Sequence, residues 1–513
     1  MKMSLDQPQE NFHRIPTGTS AESSADRSNN EVVSPAVLKW AVSILLTYFG
    51  IRLVYLALNI SSFVPPDEVT HAGLCNIFAT VFLFPDNSPQ TYEFGLVTNI
   101  PWLYYWAMGK LLHLNAFGLP DLVFLRFLNI PLAFGTVLFV RKTLLLLSND
   151  RLTLILVITV MTNTAMFSLL SASVSYDNLT NLLAAMAIYY LFAFFKERSG
   201  SLLAASILCQ LAGCLTKVTF LPLVLILGLL LLAHELKHLP LFPAALKNYA
   251  RESKSQVWLY SLAILVTLGL NIQLYAGNYL TYGSLNPGMA EVVSSRNAMQ
   301  YRIGARETIF QLYTEEKISY MEALIMAGDI KHPGDKSDTF FMLMNYENLK
   351  RDPRLWMGPL QYTGVWFESM VGTITGIKGH LLMLKEFRFL LPLYLLTALS
   401  LLGFAVRWRP GRSGWLPPGL LLVVCYYAGY LMYKINYSAY LYYGTPGITL
   451  QGRYLFPVIS PLCVLLSLYL LRLFRSNSVR IPLALATALI FVAYDFPWFL
   501  SHATPQWYQW MPR

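Results

Sequence analysis

The chain has 513 residues, 55% of them hydrophobic and 13% charged, with a mean hydropathy of +0.47. Soluble domains carry about a quarter charged residues, so this composition excludes an ordinary soluble enzyme and indicates an all-α polytopic membrane protein. The net charge of +10 lies mostly in short Lys/Arg runs between apolar segments, which is the positive-inside pattern and no argument for nucleic-acid binding.

Residues 1–34 are polar and read as a disordered cytoplasmic tail. The first apolar run, 35–59, is too long and too far in for a cleavable signal peptide, so it should stay as an anchor. Arg14, Arg27 and Lys39 place the N-terminus inside. Arg52 lies in the outer half of this run, where snorkelling outward is the commoner arrangement. The first outer loop, 61–118, opens with Val64-Pro65-Pro66-Asp67-Glu68-Val69-Thr70-His71. A helix starting at Pro66 would put Asp67 and His71 on one face, with both carboxylates in the first turn. The loop also holds an amphipathic stretch, 74–84, and an aromatic run from Pro101 to about His113. Both read as helices lying on the membrane surface. Counting the second as a span would place Arg141, Lys142 and Arg151 outside.

Spans are expected near 120–140, 152–172, 178–195, 201–216, 218–234, 256–276, 388–406, 416–433, 454–471 and 481–499, eleven in all with the first. An N-terminal membrane module of 35–276 is thus separated from a C-terminal one of 386–513. Between them, 277–385 is the only long polar segment after the tail, and it reads as a small, partly helical outer domain with a patch at 315–326. The outer loop up to Leu450 is rich in tyrosine (Tyr433, Tyr437, Tyr440, Tyr442, Tyr443). The five cysteines have no metal-ligand spacing and imply no disulfide framework. No internal repeat and no GxxxxGK[ST] nucleotide motif is present.

This topology gathers polar residues at one membrane face: Asp67, Glu68 and His71 after the first span, Asp177 between the third and fourth, Lys217 between the fifth and sixth, and Gln451-Gly452-Arg453-Tyr454 entering the tenth. Singly, each has a plain structural role: helix caps for the acids, interface anchors for Lys217 and Arg453. Together, separated cations suit a lipid phosphate, and a carboxylate beside them suits a general base for a hydroxyl or amine acceptor. That chemistry describes sugar transfer from a polyprenyl-phosphate donor, with no soluble nucleotide site required. Gln451, Tyr454, Tyr104 and Tyr105 are candidate sugar contacts. For most aromatics of these outer segments the interfacial aromatic belt is the alternative.

At these residues the chain resembles the GT-C glycosyltransferases, the class of protein O-mannosyltransferases, the lipid A aminoarabinose transferase and dolichyl-phosphate-mannose transferases. Asp67-Glu68 matches the acidic pair of the first outer loop, Asp177 the second outer acid, Thr216-Lys217 a Thr-Lys at the end of span five, and Pro101-Trp102-Leu103-Tyr104-Tyr105 a Pro-Leu-Tyr-Tyr-like helix. Pro66-Asp67-Glu68-Val69-Thr70-His71 and Gln451-Gly452-Arg453-Tyr454-Leu455-Phe456-Pro457 are also similar to the Pro-Asp-Glu-x-x-His and Gln-Gly-Arg-Tyr-x-x-Pro motifs of a bacterial membrane-protein family. The resemblance spans roughly 35–475.

The resemblance implies a GT-C-like bundle and inverting transfer onto a lipid, glycan or protein acceptor outside a bacterial inner membrane. Asp67 would be the base or position the acceptor, supported by Glu68, His71 and Asp177. Lys217 and Arg453 would hold the donor phosphate. No cofactor is implied, and a divalent ion between Asp67 and Asp177 is the alternative. Two departures fall at the donor pocket: Ile100-Pro101-Trp102 stands for Pro-Pro-Leu, and Asn99 lies near the usual basic residue. Rival classes are a transporter or flippase for a lipid-linked or anionic substrate, and a surface-polysaccharide polymerase or ligase.

Overall fold

A computed structural model describes residues 33–237, 254–409, 414–447 and 449–508. The tail lies outside this set apart from Val33 and Ser34, as does most of the basic loop after Lys237. Ser34 caps the first helix, its hydroxyl accepting the Val37 N–H at 3.2 Å.

The described residues are almost wholly helical, and nine of their helices are long and apolar enough to cross a membrane. An interrupted apolar pair, Arg151–Thr162 and Ala165–Ser171, is bent by 65° and makes a tenth if the two halves form one span. The expected span near 201–216 is a shorter apolar helix, Gly200–Cys214, of 15 residues. The eleven expected segments therefore correspond to nine long helices, one broken pair and one short helix. Tyr176–Glu197 and Gly452–Arg472 are the most deeply enclosed. Ser255–Tyr282 lies at the periphery and exposes Trp258, Leu259, Leu262 and Leu265, as a lipid-facing helix must.

Arg52 departs from its expected course. Instead of snorkelling it is buried in the bundle, where it pairs with Asp495 and donates to the Thr162 carbonyl at 2.7 Å. Ser168 donates to the same Asp495 at 2.9 Å. The interruption at Asn163–Thr164 frees backbone acceptors, and the guanidinium supplies donors that lipid cannot.

The two surface segments are helices Glu68–Thr80 and Leu103–Leu112. Ten residues of α-helix extend only about 15 Å, too little for the hydrocarbon core. In 277–385, helices Arg302–Thr314, Tyr320–Gly328 and Pro333–Arg351 pack around Ile309, Phe310, Ala323, Met342 and Leu343. The expected patch at 315–326 divides: Glu315 ends one helix, and a Ser319–Glu322 capping box starts the next. Pro359–Thr375 leaves this layer and buries Tyr362, Trp366 and Met370 in the main hydrophobic core. The antiparallel pair Ile377–Lys378 and Leu382–Met383 follows. Its tip donates from the His380 N–H to the Val64 carbonyl at 3.2 Å, touching the loop that carries Asp67. The tyrosine-rich segment is mostly a continuation of helix Leu416–Tyr430, through a π-helical turn at Leu431–Tyr437 into Ser438–Tyr443. The five cysteines are unbridged and only Cys425 is exposed.

Candidate functional site

The helix after the first span begins at Glu68, two residues later than Pro66. Asp67 is its N-cap, in the left-handed region at φ 60°, ψ 13°. Aspartate tolerates this conformation better than most residues, and strain of this kind gathers at functional positions. The turn is closed by the His71 N–H donating to the Asp67 carbonyl at 2.9 Å. Asp67 and His71 thus share one face, and both line a cavity of about 450 Å³ with Tyr105, Tyr176, Lys217 and Tyr454.

Arg453 and Asp177 do not line the cavity themselves but pair with residues that do. Arg453 Nη2 lies 3.0 Å from Asp67 Oδ2 and its Nη1 3.5 Å from Asp177 Oδ2. Lys217 Nζ lies 2.5 Å from Asp177 Oδ1, and stands 4.6 and 4.9 Å from the Tyr176 and Tyr454 ring centroids. From the helical layer of 277–385, Arg302 Nη2 reaches Asp67 Oδ1 at 3.1 Å. Behind Arg302, Asp335 Oδ2 lies 3.6 Å from its Nε and 2.8 Å from His332 Nδ1. Lys217, Arg453 and Arg302 thus face Asp67, Asp177 and Asp335, and a further carboxylate, Glu307, lines the cavity.

The three carboxylates expected in the site differ in access. Asp67 keeps 27% of its side chain exposed, Asp177 only 2% and Glu68 none. Glu68 does not reach the cavity. Arg126 Nη2 and Nε donate to its two oxygens at 2.5 and 2.8 Å, and the Val174 N–H donates to it at 2.8 Å. Arg126 also donates to the Ala57 and Ile60 carbonyls, tying the end of the first span to the start of the surface helix. Glu68 is therefore an internal anchor for the Asp67 turn, not a group placed to meet substrate.

Burial opposes ionisation of Asp67, but Arg453, with His71 and Arg302, outweighs it and holds the carboxyl well below the usual carboxylate range. Burial pushes the His71 imidazole down to about 4 against the pull of Asp67, so the ring is neutral at pH 7. His71 Nδ1 is 2.9 Å from the Tyr105 hydroxyl, while Nε2 is buried without a hydrogen-bond partner.

Of the candidate sugar contacts, Tyr105 and Tyr454 line the cavity. Tyr104 does not: it is buried and donates to Asn129 Oδ1 at 3.0 Å. Gln451 is likewise outside the lining, its Oε1 buried and unpartnered. The Arg453 guanidinium bridges Asp67 and Asp177, so these two alone do not form an open ligand pair. Among the described residues no three His, Cys, Asp or Glu side chains gather as metal ligands.

Sequence reasoning passed over Arg126, Arg302 and Tyr176, and over Tyr301 and Glu307, which also line the cavity. Arg126 had a readable signal, a lone arginine inside an apolar run. Arg302 had none, being one of several basic residues in a polar segment. No family model, no curated protein and no solved structure matches this chain.

Proposed function

We propose that this protein is an inverting glycosyltransferase of GT-C type, with eleven spans, that takes sugar from a polyprenyl-phosphate donor at the outer face of a bacterial inner membrane. One observation carries the reading: an accessible carboxylate, Asp67, and a buried cation, Lys217, line one cavity, and a second buried cation from a distant part of the chain, Arg453, is paired with that Asp67. An apolar cavity of about 320 Å³ adds support. It is lined by Trp366, Met370, Leu393, Leu455 and Val458, among others, next to the Gln451–Arg453 segment, and has the character an isoprenoid chain requires.

In this reading the donor phosphate competes with Asp67 and Asp177 for Arg453 and Lys217. As Arg453 turns to the phosphate, Asp67 loses a guanidinium and becomes more basic. The acceptor oxygen or nitrogen then attacks the sugar's anomeric carbon and gives its proton to Asp67. The bond from that carbon to the phosphate oxygen breaks, and polyprenyl phosphate departs with the electron pair, held by Lys217 and Arg453. Asp177 stays as the fixed counter-ion that positions both cations, and Tyr105 and Tyr454 form the wall facing the sugar.

The test is turnover by purified protein with a panel of polyprenyl-phosphate sugars, with and without EDTA. Asp67→Asn should lower transfer by about 10²–10⁴-fold while the protein still unfolds in one cooperative transition. Transfer abolished by EDTA would instead assign a divalent ion to the Asp67–Asp177 pair. A transporter is the second reading, favoured by the broken crossing Arg151–Ser171 and the buried Arg52–Asp495 pair, both features of membrane carriers. Lipid uptake into vesicles without transfer, equal in wild type and Asp67→Asn, would establish it.

A further inference from the structure

A third cavity, about 290 Å³, lies back to back with the charged one. The segment 98–102 is the shared wall: Ile100 and Pro101 face the charged cavity, while Thr98, Asn99 and Trp102 face the other. Its far side is the end of span Ser255–Tyr282, where a π-helical turn, Ile272–Ala276, changes the helical register. π-turns of this kind are often found at functional sites.

The wall on one side is a closed amide network. Asn87 Nδ2 donates to Thr98 Oγ1 at 2.8 Å and to Asn99 Oδ1 at 3.0 Å, and Asn99 Nδ2 donates to Asn278 Oδ1 at 2.9 Å. Asn278 Nδ2 in turn donates to the Asn99 carbonyl at 3.0 Å. This network holds the wall rigid and uses up most of its own hydrogen-bonding capacity. Trp102, Gln273, Thr281 and Tyr282 add an indole N–H, an amide and two hydroxyls to the lining, none of them engaged in this network. Phe84 meets Trp102 edge-on at 4.7 Å between centroids, fixing the indole. No Asp, Glu, Lys, Arg or His lines the cavity.

We propose that this cavity is a binding site for a neutral saccharide. Aromatic rings offer flat apolar surface to the C–H face of a sugar ring, and amide, hydroxyl and indole groups match its hydroxyls in both donor and acceptor sense. The absence of charge sets it apart from the neighbouring cavity, which is lined by Lys217, Asp67 and Glu307. The volume is at the lower end of the ligand-pocket range and suits one or two sugar units. The same polyol chemistry is offered by a free or lipid-linked glycan and by the glycerol headgroup of a bilayer lipid, and the saccharide is the occupant proposed.

Gly277 supplies the occlusion variant. A Cβ added there meets nothing within 4 Å, so Gly277→Leu grows into the cavity without striking backbone, and leucine is the better helix former. Full-length protein in nanodiscs of phosphatidylethanolamine and phosphatidylglycerol would be presented with neutral methyl glycosides, and binding read by saturation-transfer difference NMR. At least one glycoside should receive saturation, with the signal falling at least fivefold in Gly277→Leu and in Gln273→Leu, each at a wild-type melting temperature. The signal should persist in Asp67→Asn, which separates this site from the transfer chemistry proposed above. No transfer to any glycoside, or a signal unchanged in both cavity variants, overturns the proposal. Equal displacement of the glycoside by an equimolar amount of glycerol overturns it in favour of a lipid headgroup.

Discussion

Asp67 and Glu68 are neighbours in sequence and opposites in environment. One helical step turns the first carboxylate to the cavity and the second into the protein, where Arg126 takes both its oxygens. Removing Arg126 strands a buried charge. Arg126→Met should therefore destabilise the protein by about 3–5 kcal/mol, and the double variant with Glu68→Gln should recover most of that loss, as read by thermal melting in detergent. His71 gives a pH signature. Its folded value of about 4 lies below the unfolded 6.5, so between these values the unfolded chain holds more protons. Stability should fall as pH drops from about 6.5 to 4, by up to about 3 kcal/mol, and His71→Gln should flatten that slope. Asp67 acts in the same sense below pH 4, where protonation ends its pairing with Arg453 and Arg302.

Two glycines decide how closely helices approach. A Cβ at Gly109 would lie 2.7 Å from the Cys75 carbonyl oxygen, so the two surface helices meet backbone to backbone and bury Tyr105 beside His71. A Cβ at Gly403 would lie 2.1 Å from the Tyr469 carbonyl oxygen, where helix Phe387–Arg407 crosses Ile459–Arg472. In lipid such close crossings replace the hydrophobic drive. Gly403→Leu should cost at least about 1–3 kcal/mol by separating the pair, while Gly277→Leu, with open space around it, should not. A melting-temperature comparison of the two variants checks this contrast. At this scale the apolar runs were legible in the chain, because a span is marked by length and composition alone. The interruption at Asn163–Thr164 was not: a run of apolar residues reads the same straight or bent.

The molecule assembles its cavity from the first surface helix, the starts of spans at Tyr176 and Gly452, the Lys217 turn and the outer helix carrying Arg302. The proposed topology puts the first outer loop and the 277–385 layer on one side, and the turn after Glu197 on the other. With Cys425→Ser as background, Gln90→Cys and Glu316→Cys should react with an impermeant thiol reagent from one face of oriented vesicles, and Glu197→Cys only from the other. Labelling of Gln90→Cys and Glu197→Cys from the same side would refute that arrangement.

Composition and hydropathy by themselves determined that this is a helical membrane protein, where its apolar segments fall, and that Asp67, His71, Lys217 and Arg453 are worth bringing together. They suffice because the bilayer imposes a length and an apolarity that each segment must meet alone. Only the tertiary structure decided which acid meets the cavity, that Arg52 faces inward, that Tyr104 and Gln451 lie outside the lining and that Arg302 closes over Asp67. Those outcomes depend on the rotation of each helix about its axis and on partners hundreds of residues away, such as Asp495 for Arg52. Polar groups excluded from water must be satisfied by whatever the packed bundle places beside them.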